Sequence, residues 1–367
     1  MRRVLKVIPS CEVGGAERYV ARVAPLLAKH GVQVEVCALD RRGPLAGALE
    51  AAGVRVHGTR YAERSRSSYS RTLARTVADI RRLVRAGRFD IVHTYLFWTD
   101  VLGSLGARLA GCPRVIVSRR ALHPWRHRPS PLFHGLELGA NLCAHELIAN
   151  SQAVLRDVEA SERFLPRRRT VIYNGVDPAA YPAARPARSG GLRLLTVGAL
   201  DHRKGQEYAL RALRQLLDGG LDARLTLVGR GADEEMLRSL ARELKLARAV
   251  VFAGEQEPEA YLADSDLFVL PSRQEGFSNA LLEAMASSLP CVATDAGGNP
   301  EALVDGEGGR IVPREDPAAL AAAIRELAGD RPRMRRMGTA NRRRVEEHFS
   351  LERSAACLAA WYLGRPA

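Results

Sequence analysis

The chain has 367 residues, of which 46% are apolar and 5% aromatic. This length exceeds a single ordinary core and predicts two domains. The apolar runs fall far short of a membrane span, and the basic N-terminus lacks the long apolar region and cleavage site of a signal peptide, so we expect a cytoplasmic protein. Six scattered cysteines, without the close spacing of metal ligands or disulfide frameworks, predict buried, reduced thiols.

The excess positive charge is confined to the first half of the chain. Residues 1–180 contain 29 Lys and Arg against 15 Asp and Glu, a net charge of +14, whereas residues 181–367 contain 26 of each. This asymmetry predicts an anionic partner for the first half, which could be a membrane surface, a phosphorylated acceptor or nucleic acid. The alternative is an arginine-rich surface that only faces solvent.

Strands and helices alternate along residues 1–178, which we assign to an N-terminal domain. A strand at Val4–Pro9, the turn Gly14-Gly15, a helix ending at Gly31 and a strand at Val32–Leu39 form a βαβ unit, which requires a parallel sheet. The apolar pattern predicts further strands at 54–57, 89–93, 114–118, 146–150 and 170–172, and helices at 69–86, 101–109, 132–143 and 154–161.

A Pro- and Ala-rich segment at 179–191 has the composition of an interdomain linker, and the alternation restarts beyond it. We assign residues 192–348 to a C-terminal domain and 349–367 to a last helix that could pack back on the N-terminal domain. The strands of this domain are predicted at 192–197, 223–228, 250–252, 267–270 and 290–294, and its helices at 206–217, 233–244, 258–263, 279–287, 317–328 and 331–348. Two such runs predict an α/β fold of two doubly wound, Rossmann-like domains facing each other across a cleft.

In such folds ligands lie beyond the carboxyl ends of the strands, where three loops carry candidate residues. Gly14 and Gly15 precede a helix and let a ligand approach the backbone closely. Gly198 ends a strand and Lys204 opens the next helix, an arrangement suited to a diphosphate. Gly229 begins a glycine-rich turn. The Gly14-Gly15 turn does not match the G-x-G-x-x-G of a dinucleotide site.

The fourth loop and its helix, VLPSRQEGFSNALLEAMASSLPC at 269–291, form the most informative stretch. Glu275 lies in the loop, and Glu283 lies on the helix eight positions later. The helix entry between them offers unpaired N–H groups and the positive end of the helix dipole to an anion, and it consists of Gly276, Phe277, Ser278 and Asn279. This arrangement can hold a sugar, a phosphate and a ribose in a row. Taken alone, it is equally compatible with a capped surface helix that carries two solvated glutamates.

Together the four loops resemble the GT-B-fold glycosyltransferases of family 4 (glycosyl transferases group 1), which are retaining nucleotide-sugar enzymes. The resemblance covers nearly the whole chain and is strongest from about 192 to 313. It rests on the Glu275-x7-Glu283 pattern, on PCVAT at 290–294 and GGNPE at 297–301, and on the shorter segments GGAE, VIYNGVD and KG.

The resemblance implies a role for the candidate residues. Glu275 would contact the hydroxyls of the donor sugar and Glu283 those of the ribose, while Lys204 and the N–H groups of 277–279 would hold the diphosphate. Gly15 would let the N-terminal domain approach the donor phosphates. The implied partners are a nucleotide sugar and a glycan or lipid-linked acceptor, with no metal or other cofactor and no nucleic acid.

Two positions depart from the family pattern. An arginine usually follows the glycine of the second loop, where this chain has Ala199, so Arg203 or a residue of the N-terminal domain would have to supply its charge. A histidine commonly follows the strand that corresponds to 115–117, where this chain has Ser118-Arg119-Arg120. We therefore expect Arg120 to face the donor sugar and to act in catalysis with Glu275 and Lys204. His93 and His123 lie nearby without an assigned role.

The basic first half gains an interpretation from the resemblance, because many relatives use lipid-linked or membrane-bound acceptors that the N-terminal domain binds. The helix at 69–86 and the loop Arg119–Arg128, with Trp125, are expected to rest on an anionic leaflet. The protein would then be peripheral on the inner face of the cell membrane.

The predicted function is retaining transfer of a sugar from a nucleoside diphosphate sugar to a hydroxyl group, in cell-envelope polysaccharide or glycolipid synthesis. No dedicated nucleophile for the far face of the sugar is evident, which favours a front-face mechanism in which the leaving diphosphate helps to deprotonate the acceptor. Two alternatives stay open. One is a sugar-nucleotide epimerase on the same fold, and the other is a basic nucleic-acid-binding protein, for which no recognition motif is present.

Overall fold

A computed structural model describes residues 1–63, 69–122, 130–184 and 190–365. The chain forms two compact units, one comprising Met1–Asn174 and Leu351–Ala367 and the other Gly175–Ser350. Each unit is built on a parallel sheet whose strands alternate with helices along the chain. This confirms the predicted α/β fold of two doubly wound, Rossmann-like domains.

The first unit contains a seven-stranded sheet. Its strands are β1 (Arg2–Ser10), β2 (Val32–Asp40), β3 (Val56–Gly58), β4 (Ile91–Tyr95), β5 (Arg114–Arg119), β6 (Glu146–Ala149) and β7 (Arg168–Val171). They lie in the order β3-β2-β1-β4-β5-β6-β7. The helices are α1 (Gly15–Val23), α2 (Leu45–Ala51), α3 (Tyr69–Gly87), α4 (Phe97–Leu109), α5 (Pro131–Cys143) and α6 (Gln152–Ser161). The central strand β1 pairs with β2 and β4, so it is buried on both faces.

The second unit contains a six-stranded sheet. Its strands are β8 (Leu192–Val197), β9 (Ala223–Val228), β10 (Val250–Gly254), β11 (Leu267–Leu270), β12 (Cys291–Thr294) and β13 (Gly309–Val312), in the order β10-β9-β8-β11-β12-β13. The helices are α7 (Gln206–Asp218), α8 (Glu234–Glu243), α9 (Glu259–Ala263), α10 (Asn279–Ala286), α11 (Asn299–Ala302), α12 (Pro317–Ala328) and α13 (Arg331–His348). A core of mainly Leu, Ala and Val side chains lies between the sheet and these helices.

The last helix, α14 (Leu351–Leu363), belongs to the first unit. Its buried residues, among them Leu358 and Tyr362, join the core formed by β1 and α1. Arg114 of β5 donates a hydrogen bond of 2.6 Å to the carbonyl oxygen of Tyr362. The helix therefore completes the core of a domain whose other residues precede Gly175.

Several elements differ from the sequence predictions. The first predicted helix is divided, because Pro25 has no N–H group to continue the ladder, and a 3-10 turn at Pro25–His30 follows α1. Helix α4 begins at Phe97, four residues before the predicted start, and the ring of Phe97 lies 5.4 Å from that of Phe133. The elements α2, α11 and β13 were not predicted.

The segment predicted as a linker, 179–191, packs on the second unit wherever it is described. Tyr181 is buried, and its carbonyl oxygen accepts a hydrogen bond of 2.9 Å from Arg342 of α13. The N–H group of Ala184 donates to the carbonyl oxygen of Ser287 at 2.7 Å. Residues 185–189 lie outside the described residues.

The six cysteines are free thiols, and Cys11, Cys37, Cys112 and Cys291 are buried. Burial raises the pKa of Cys37 to about 12, which is characteristic of an unreactive core thiol. No helix in the described part of the chain combines the length and the apolar character required to cross a bilayer.

The pairing of β13 provides a test of the second sheet. A β-carbon added at Gly309 would overlap the backbone of Cys291 on β12. We expect Gly309→Ala to lower the free energy of unfolding by about 1–3 kcal/mol, because the strands must separate to admit the methyl group. Urea unfolding followed by circular dichroism measures this change. At Gly329 the nearest atom to an added β-carbon is 3.6 Å away, so Gly329→Ala is the matched control, and an equal loss in both variants would contradict the assigned register.

Candidate functional site

The candidate site of the second unit lies where the strand order of its sheet reverses. Strand β8 lies between β9 and β11, and Thr196 of β8 donates a hydrogen bond of 2.8 Å to the carbonyl oxygen of Val269 on β11. The loops that follow these two strands, 198–205 and 271–278, therefore leave the sheet side by side. Such a switch point is the usual ligand position in an open parallel sheet.

An ion pair joins the two loops. The Lys204 ammonium donates a hydrogen bond of 2.7 Å to Oε1 of Glu275, and the Ser272 hydroxyl donates to the same oxygen at 2.7 Å. The side chain of Glu275 is 6% exposed and that of Lys204 is 25% exposed. A nearly buried carboxylate is thus held by a cation and a hydroxyl, while the cation keeps access to solvent. The structure brings together two of the three predicted catalytic residues.

Backbone contacts fix the two loops to each other. The N–H groups of Arg273 and Gln274 both donate to the carbonyl oxygen of Arg203, at 2.8 and 3.1 Å. Gly205 adopts a φ of +61°, and a β-carbon there would overlap the carbonyl oxygen of Pro271. Only glycine allows this approach, which places Lys204 beside the loop that carries Glu275.

A turn at Gly297 and Gly298 packs against the loop that contains Glu275. Gly297 has a φ of +52°, and a β-carbon there would overlap the carbonyl oxygen of Glu275. The neighbouring Gly298 donates its N–H to the carbonyl oxygen of Gly276 at 3.0 Å. The Thr294 hydroxyl donates to the carbonyl oxygen of Ser272 at 2.6 Å. The loop is therefore held on both sides before any ligand binds.

Helix α10 follows the Glu275 loop and begins at Asn279. Ser278 is the N-cap of α10, and its hydroxyl accepts a hydrogen bond of 3.3 Å from the N–H of Leu281. The ring of Phe277 is buried 5.3 Å from that of Phe349, which anchors the turn. Glu283 lies one turn into α10 and is buried. The N-cap Ser278 lies three positions after Glu275, so the carboxylate is close in the sequence to a helix start, and such a start favours an anion.

The other two predicted glycines of the second unit, Gly198 and Gly229, lie at the ends of neighbouring strands. Gly198 has a φ of +151° and Gly229 a φ of +139°, and a β-carbon at Gly229 would overlap the carbonyl oxygen of Gly198. Gly198 and Gly229 therefore form two neighbouring turns, one at the end of β8 and one at the end of β9. The carbonyl oxygen of Ala199 accepts a hydrogen bond of 2.8 Å from the side chain of Gln206.

The charge missing at Ala199 is not simply replaced by Arg203. Its guanidinium pairs with Asp201 at 2.6 Å, and this hydrogen bond raises the pKa of Arg203. Arg203 is therefore already neutralised within its own loop. Lys204 remains the cation of this loop that contacts Glu275.

Arg273 is a functional candidate that the sequence did not single out. It lies in the loop between Ser272 and Glu275, and its guanidinium donates to Glu207 at 2.7 Å and to the hydroxyl of Tyr208. It also lies 4.8 Å from the centre of the Tyr208 ring. These contacts tie the Glu275 loop to the first turn of α7. The motif PSRQEG contains this arginine, but its partners are about 65 residues away in the sequence.

Arg120 lies in a buried cluster of the first unit. Its guanidinium stacks 4.3 Å from the centre of the Tyr19 ring and 5.5 Å from that of Tyr95, and it donates a hydrogen bond to Asn174. Burial lowers the pKa of Arg120. Two aromatic faces and one amide therefore fix the direction of this arginine.

Two further bases lie in the same cluster. The ammonium of Lys6 is buried and donates a hydrogen bond of 2.5 Å to the hydroxyl of Tyr95, with no carboxylate in salt-bridge distance among the described residues. Burial, together with the charge of Arg120, holds the pKa of Lys6 well below its usual value. His93 contacts Tyr362 at 2.6 Å and Ser118 at 2.7 Å, and burial holds its pKa low as well. His93 is thus a hydrogen-bonded core residue.

Gly14 and Gly15 form the start of α1 in the first unit. Gly14 is the N-cap, and Arg18 donates its N–H to the carbonyl oxygen of Gly14 at 2.8 Å. A β-carbon at Gly14 would overlap the carboxylate of Glu17, which is itself buried and whose pKa burial raises. His123 and Trp125 lie outside the described residues.

No group of three or more His, Cys, Asp or Glu side chains is arranged to hold a metal ion in 1–63, 69–122, 130–184 and 190–365. In the second unit Lys204 and the start of α10 are suited to an anion. In the first unit Arg120 lies against two tyrosine rings, and Lys6 is fully buried.

Comparison with known families matches both halves of the chain. The family model described as Glycosyltransferase Family 4 matches residues 13–180, and the one described as Glycosyl transferases group 1 matches residues 191–330.

Similar proteins include the glycogen synthase of Mycobacterium tuberculosis, which is 37% identical over 198 residues. The matched segment is 53% of this chain and about half, 48%, of that protein. The D-inositol 3-phosphate glycosyltransferase of Acidothermus cellulolyticus is 29% identical over 355 residues, which cover 87% of this chain and 79% of that protein. Among solved structures, HepE of Anabaena in complex with UDP and glucose superposes with a TM-score of 0.84 at 21% identity, covering 99% of this chain and all of that one. The fold is therefore the two-domain GT-B fold.

The glycine turn behind the Glu275 loop provides a second test. We expect Gly297→Ala to lower the free energy of unfolding by about 1–2 kcal/mol for its positive φ and by about 1–3 kcal/mol more for the overlap with Glu275. Gly306 has a φ of +80° and open space around it, so Gly306→Ala should show only the first cost. Urea unfolding of both variants measures the difference. Equal losses would show that the contact between Gly297 and Glu275 does not hold the loop.

Proposed function

Since the chain belongs to the group 1 glycosyltransferases of family 4, we propose that it transfers a sugar from a nucleoside diphosphate sugar to a hydroxyl of a glycan or lipid-linked acceptor, with retention at the anomeric carbon. The observation that carries this proposal is the contact of Lys204 with Glu275 beside the start of α10. These groups offer a cation, a carboxylate and the N–H groups of a helix start within one loop pair. Diphosphate and sugar hydroxyls require these three kinds of group.

Each group receives a role in this proposal. Lys204 and the N–H groups at 277–279 bind the diphosphate and stabilise the negative charge that develops as it leaves. Glu275 accepts hydrogen bonds from the donor sugar hydroxyls, and Glu283 from the ribose. The side chain of Lys204 is 25% exposed and contacts Glu275, so one ammonium group can lie beside both the diphosphate and the carboxylate that accepts from the sugar hydroxyls. We propose that these groups act without a metal ion.

The uridine nucleotides are the first donors to test, because the similar HepE holds UDP and glucose. The transfer itself is proposed to proceed on the front face. The acceptor hydroxyl attacks the anomeric carbon from the side of the leaving diphosphate, the glycosidic bond to the phosphate breaks, and the proton passes to a phosphate oxygen. No other base is required by this route. Exclusion of water would favour it over hydrolysis of the donor.

The second candidate is an epimerase that interconverts the nucleotide sugar without an acceptor. Both candidates use the donor site, so the donor contacts do not separate them. Production of a free nucleoside diphosphate that depends on acceptor indicates the transferase. An altered nucleotide sugar with no acceptor present indicates the epimerase.

We also propose that the first unit binds an anionic membrane, where lipid-linked acceptors of the cell envelope would be found. Helix α3 presents exposed arginines that have no carboxylate partner among the described residues, namely Arg71, Arg75 and Arg85. Helix α5 exposes Leu132 and Leu142, which are 68% and 62% accessible. Arginines attract anionic headgroups, and exposed leucines can enter the acyl boundary. Of the loop Arg119–Arg128, only 119–122 is described.

The donor role of Glu275 is tested by Glu275→Gln. A thermal-shift panel of nucleoside diphosphates and their sugars first identifies the donor, because a ligand of the folded state raises its apparent stability. We expect the variant to lose at least about 100-fold in kcat, since the amide cannot replace a charged acceptor at the donor sugar. Glu243→Gln, on an exposed turn of α8, is the control. Full turnover in the Glu275 variant would refute the assigned role.

The membrane proposal is tested by sedimentation with vesicles. At low salt the protein should bind vesicles that contain phosphatidic acid. It should not bind vesicles made of phosphatidylcholine. The triple variant Arg71→Ser, Arg75→Ser, Arg85→Ser should bind roughly 100-fold more weakly, because each basic residue near the surface contributes about 1 kcal/mol. The control variant removes three exposed arginines of the second unit, Arg211, Arg224 and Arg248. Equal recovery with both lipids would refute the proposal.

A further inference from the structure

Helix α13 of the second unit lines an open groove of about 670 Å³ that contains none of the donor-loop residues. Four arginines, a hydroxyl and two carboxylates surround it. Its lining consists of Glu307, Pro332, Arg335, Arg336, Thr339, Ala340, Arg343, Arg344, Glu347 and His348. The volume lies in the range of pockets that hold small molecules, roughly 300–1,000 Å³.

The helical spacing explains the shape of the groove. Thr339 and Ala340 are small and occupy the middle, with Arg335 and Arg336 one turn before them and Arg343 and Arg344 one turn after. At 1.5 Å per residue the two pairs of α-carbons are separated by roughly 12 Å along the helix. A ligand in the groove would therefore meet cations at both ends, with the hydroxyl of Thr339 between them.

The first pair of arginines has no counter-charge. Arg335 and Arg336 are exposed, and among the described residues no carboxylate lies within salt-bridge distance of either guanidinium. Four residues further on, their helical neighbours are Thr339 and Ala340, which cannot pair with them. Arg342 and Arg343, by contrast, pair with Glu346 at 3.0 Å and Glu347 at 2.8 Å. The guanidinium groups of Arg335 and Arg336 therefore stay available to an anion, whereas that of Arg343 is engaged with Glu347.

Arg344 is held in place at the other end. Its guanidinium donates to the carbonyl oxygens of Ala302 at 2.7 Å and Glu301 at 2.9 Å, and it lies 5.4 Å from the centre of the Phe349 ring. The side chain has therefore lost most of its rotational freedom before a ligand arrives, which lowers the entropic cost of binding. Glu307 and Glu347 reduce the charge of the groove but leave four arginines against two carboxylates.

We propose that this groove binds a soluble small molecule that carries more than one phosphate group, at a site separate from the donor loops and independent of the proposed transfer reaction. Arginine recognises phosphate oxygens through paired N–H groups, which Arg335 and Arg336 offer at one end of the groove. At the other end Arg343 and Arg344 add positive charge while they keep their contacts within the protein, so the groove favours a ligand with several phosphate groups. The lining contains no large apolar side chain, since Pro332 and Ala340 are its only apolar residues. This favours a soluble ligand over a lipid headgroup, whose bilayer would require apolar groups to enter it.

The test is calorimetric titration with inorganic tripolyphosphate at physiological salt. The double variant Arg335→Ser, Arg336→Ser should bind at least about tenfold more weakly, because two charge-assisted contacts are lost. Both side chains are exposed and have no ion pair or side-chain hydrogen bond within the described parts of the chain, so the variant should keep its unfolding midpoint. The control, Arg211→Ser with Arg224→Ser, removes the same charge from exposed positions of the same unit and should change the affinity less than twofold.

Two further measurements distinguish binding at the groove from binding at other anion sites. In a Lys204→Ala background, which weakens diphosphate binding at the donor loops, the effect of Arg335 and Arg336 should persist. Sedimentation with phosphatidic acid vesicles should be unchanged by the double variant. The proposal is overturned if tripolyphosphate does not bind, if both double variants weaken it alike, if Lys204→Ala abolishes all binding, or if the Arg335/Arg336 variant loses vesicle binding instead.

Discussion

The ion pair of Lys204 and Glu275 depends on the position of β8 next to β11. The two residues are 71 positions apart, and only the reversal of strand order at the centre of the second sheet places their loops side by side. A carboxylate that is 6% exposed is costly to ionise without a partner. The ammonium of Lys204 and the hydroxyl of Ser272 offset this cost. The contacts of Gly205 and Gly297 serve the same arrangement, because each lets one backbone segment approach another where a β-carbon would overlap it.

The two units differ in the surroundings of their basic side chains. Many acidic and basic groups of the second unit are paired with each other. Arg335 and Arg336 of α13 are among its exposed arginines that have no carboxylate partner in the described part of the chain. In the first unit, by contrast, Lys6 and Arg120 are placed among aromatic rings. Burial lowers the pKa of both groups, because it disfavours their charged forms. Two basic groups of the first unit therefore lie among aromatic side chains and not on its solvated surface.

Helices and strands with a clear apolar pattern were predictable, because that pattern is local in the sequence. The strand 192–197 and the helix 317–328 are continuous apolar or amphipathic segments, and both were predicted within a residue. The strand Gly309–Val312 was missed because four residues, one of them an arginine, give no readable alternation; its pairing with β12 defines it. Helix α2, with the sequence LAGALEA, is short and lacks a clear apolar period.

The sequence predicts which residues form the site, but it does not predict which of them contact each other. The sequence placed Glu275 and Lys204 in neighbouring strand-end loops, but their hydrogen bond depends on the turn at Gly205. The partners of Arg273 and the stacking of Arg120 on Tyr19 join residues about 65 and 101 positions apart. Such contacts follow from the sheet order and from side-chain packing, which no local pattern records. Gly297 was recognised as part of the GGNPE segment, but its close approach to the carbonyl oxygen of Glu275 depends on the fold.

The position of α14 has a consequence for synthesis on the ribosome. Leu358 and Tyr362 complete the core of the first unit, although 176 residues of the second unit, Gly175–Ser350, separate them from it in the chain. A domain at the N-terminus ordinarily folds first as it leaves the ribosome. Here the first unit has an open hydrophobic surface until the final helix has emerged, whereas Gly175–Ser350 has its whole core available earlier. The order of completion is therefore the reverse of the order of translation.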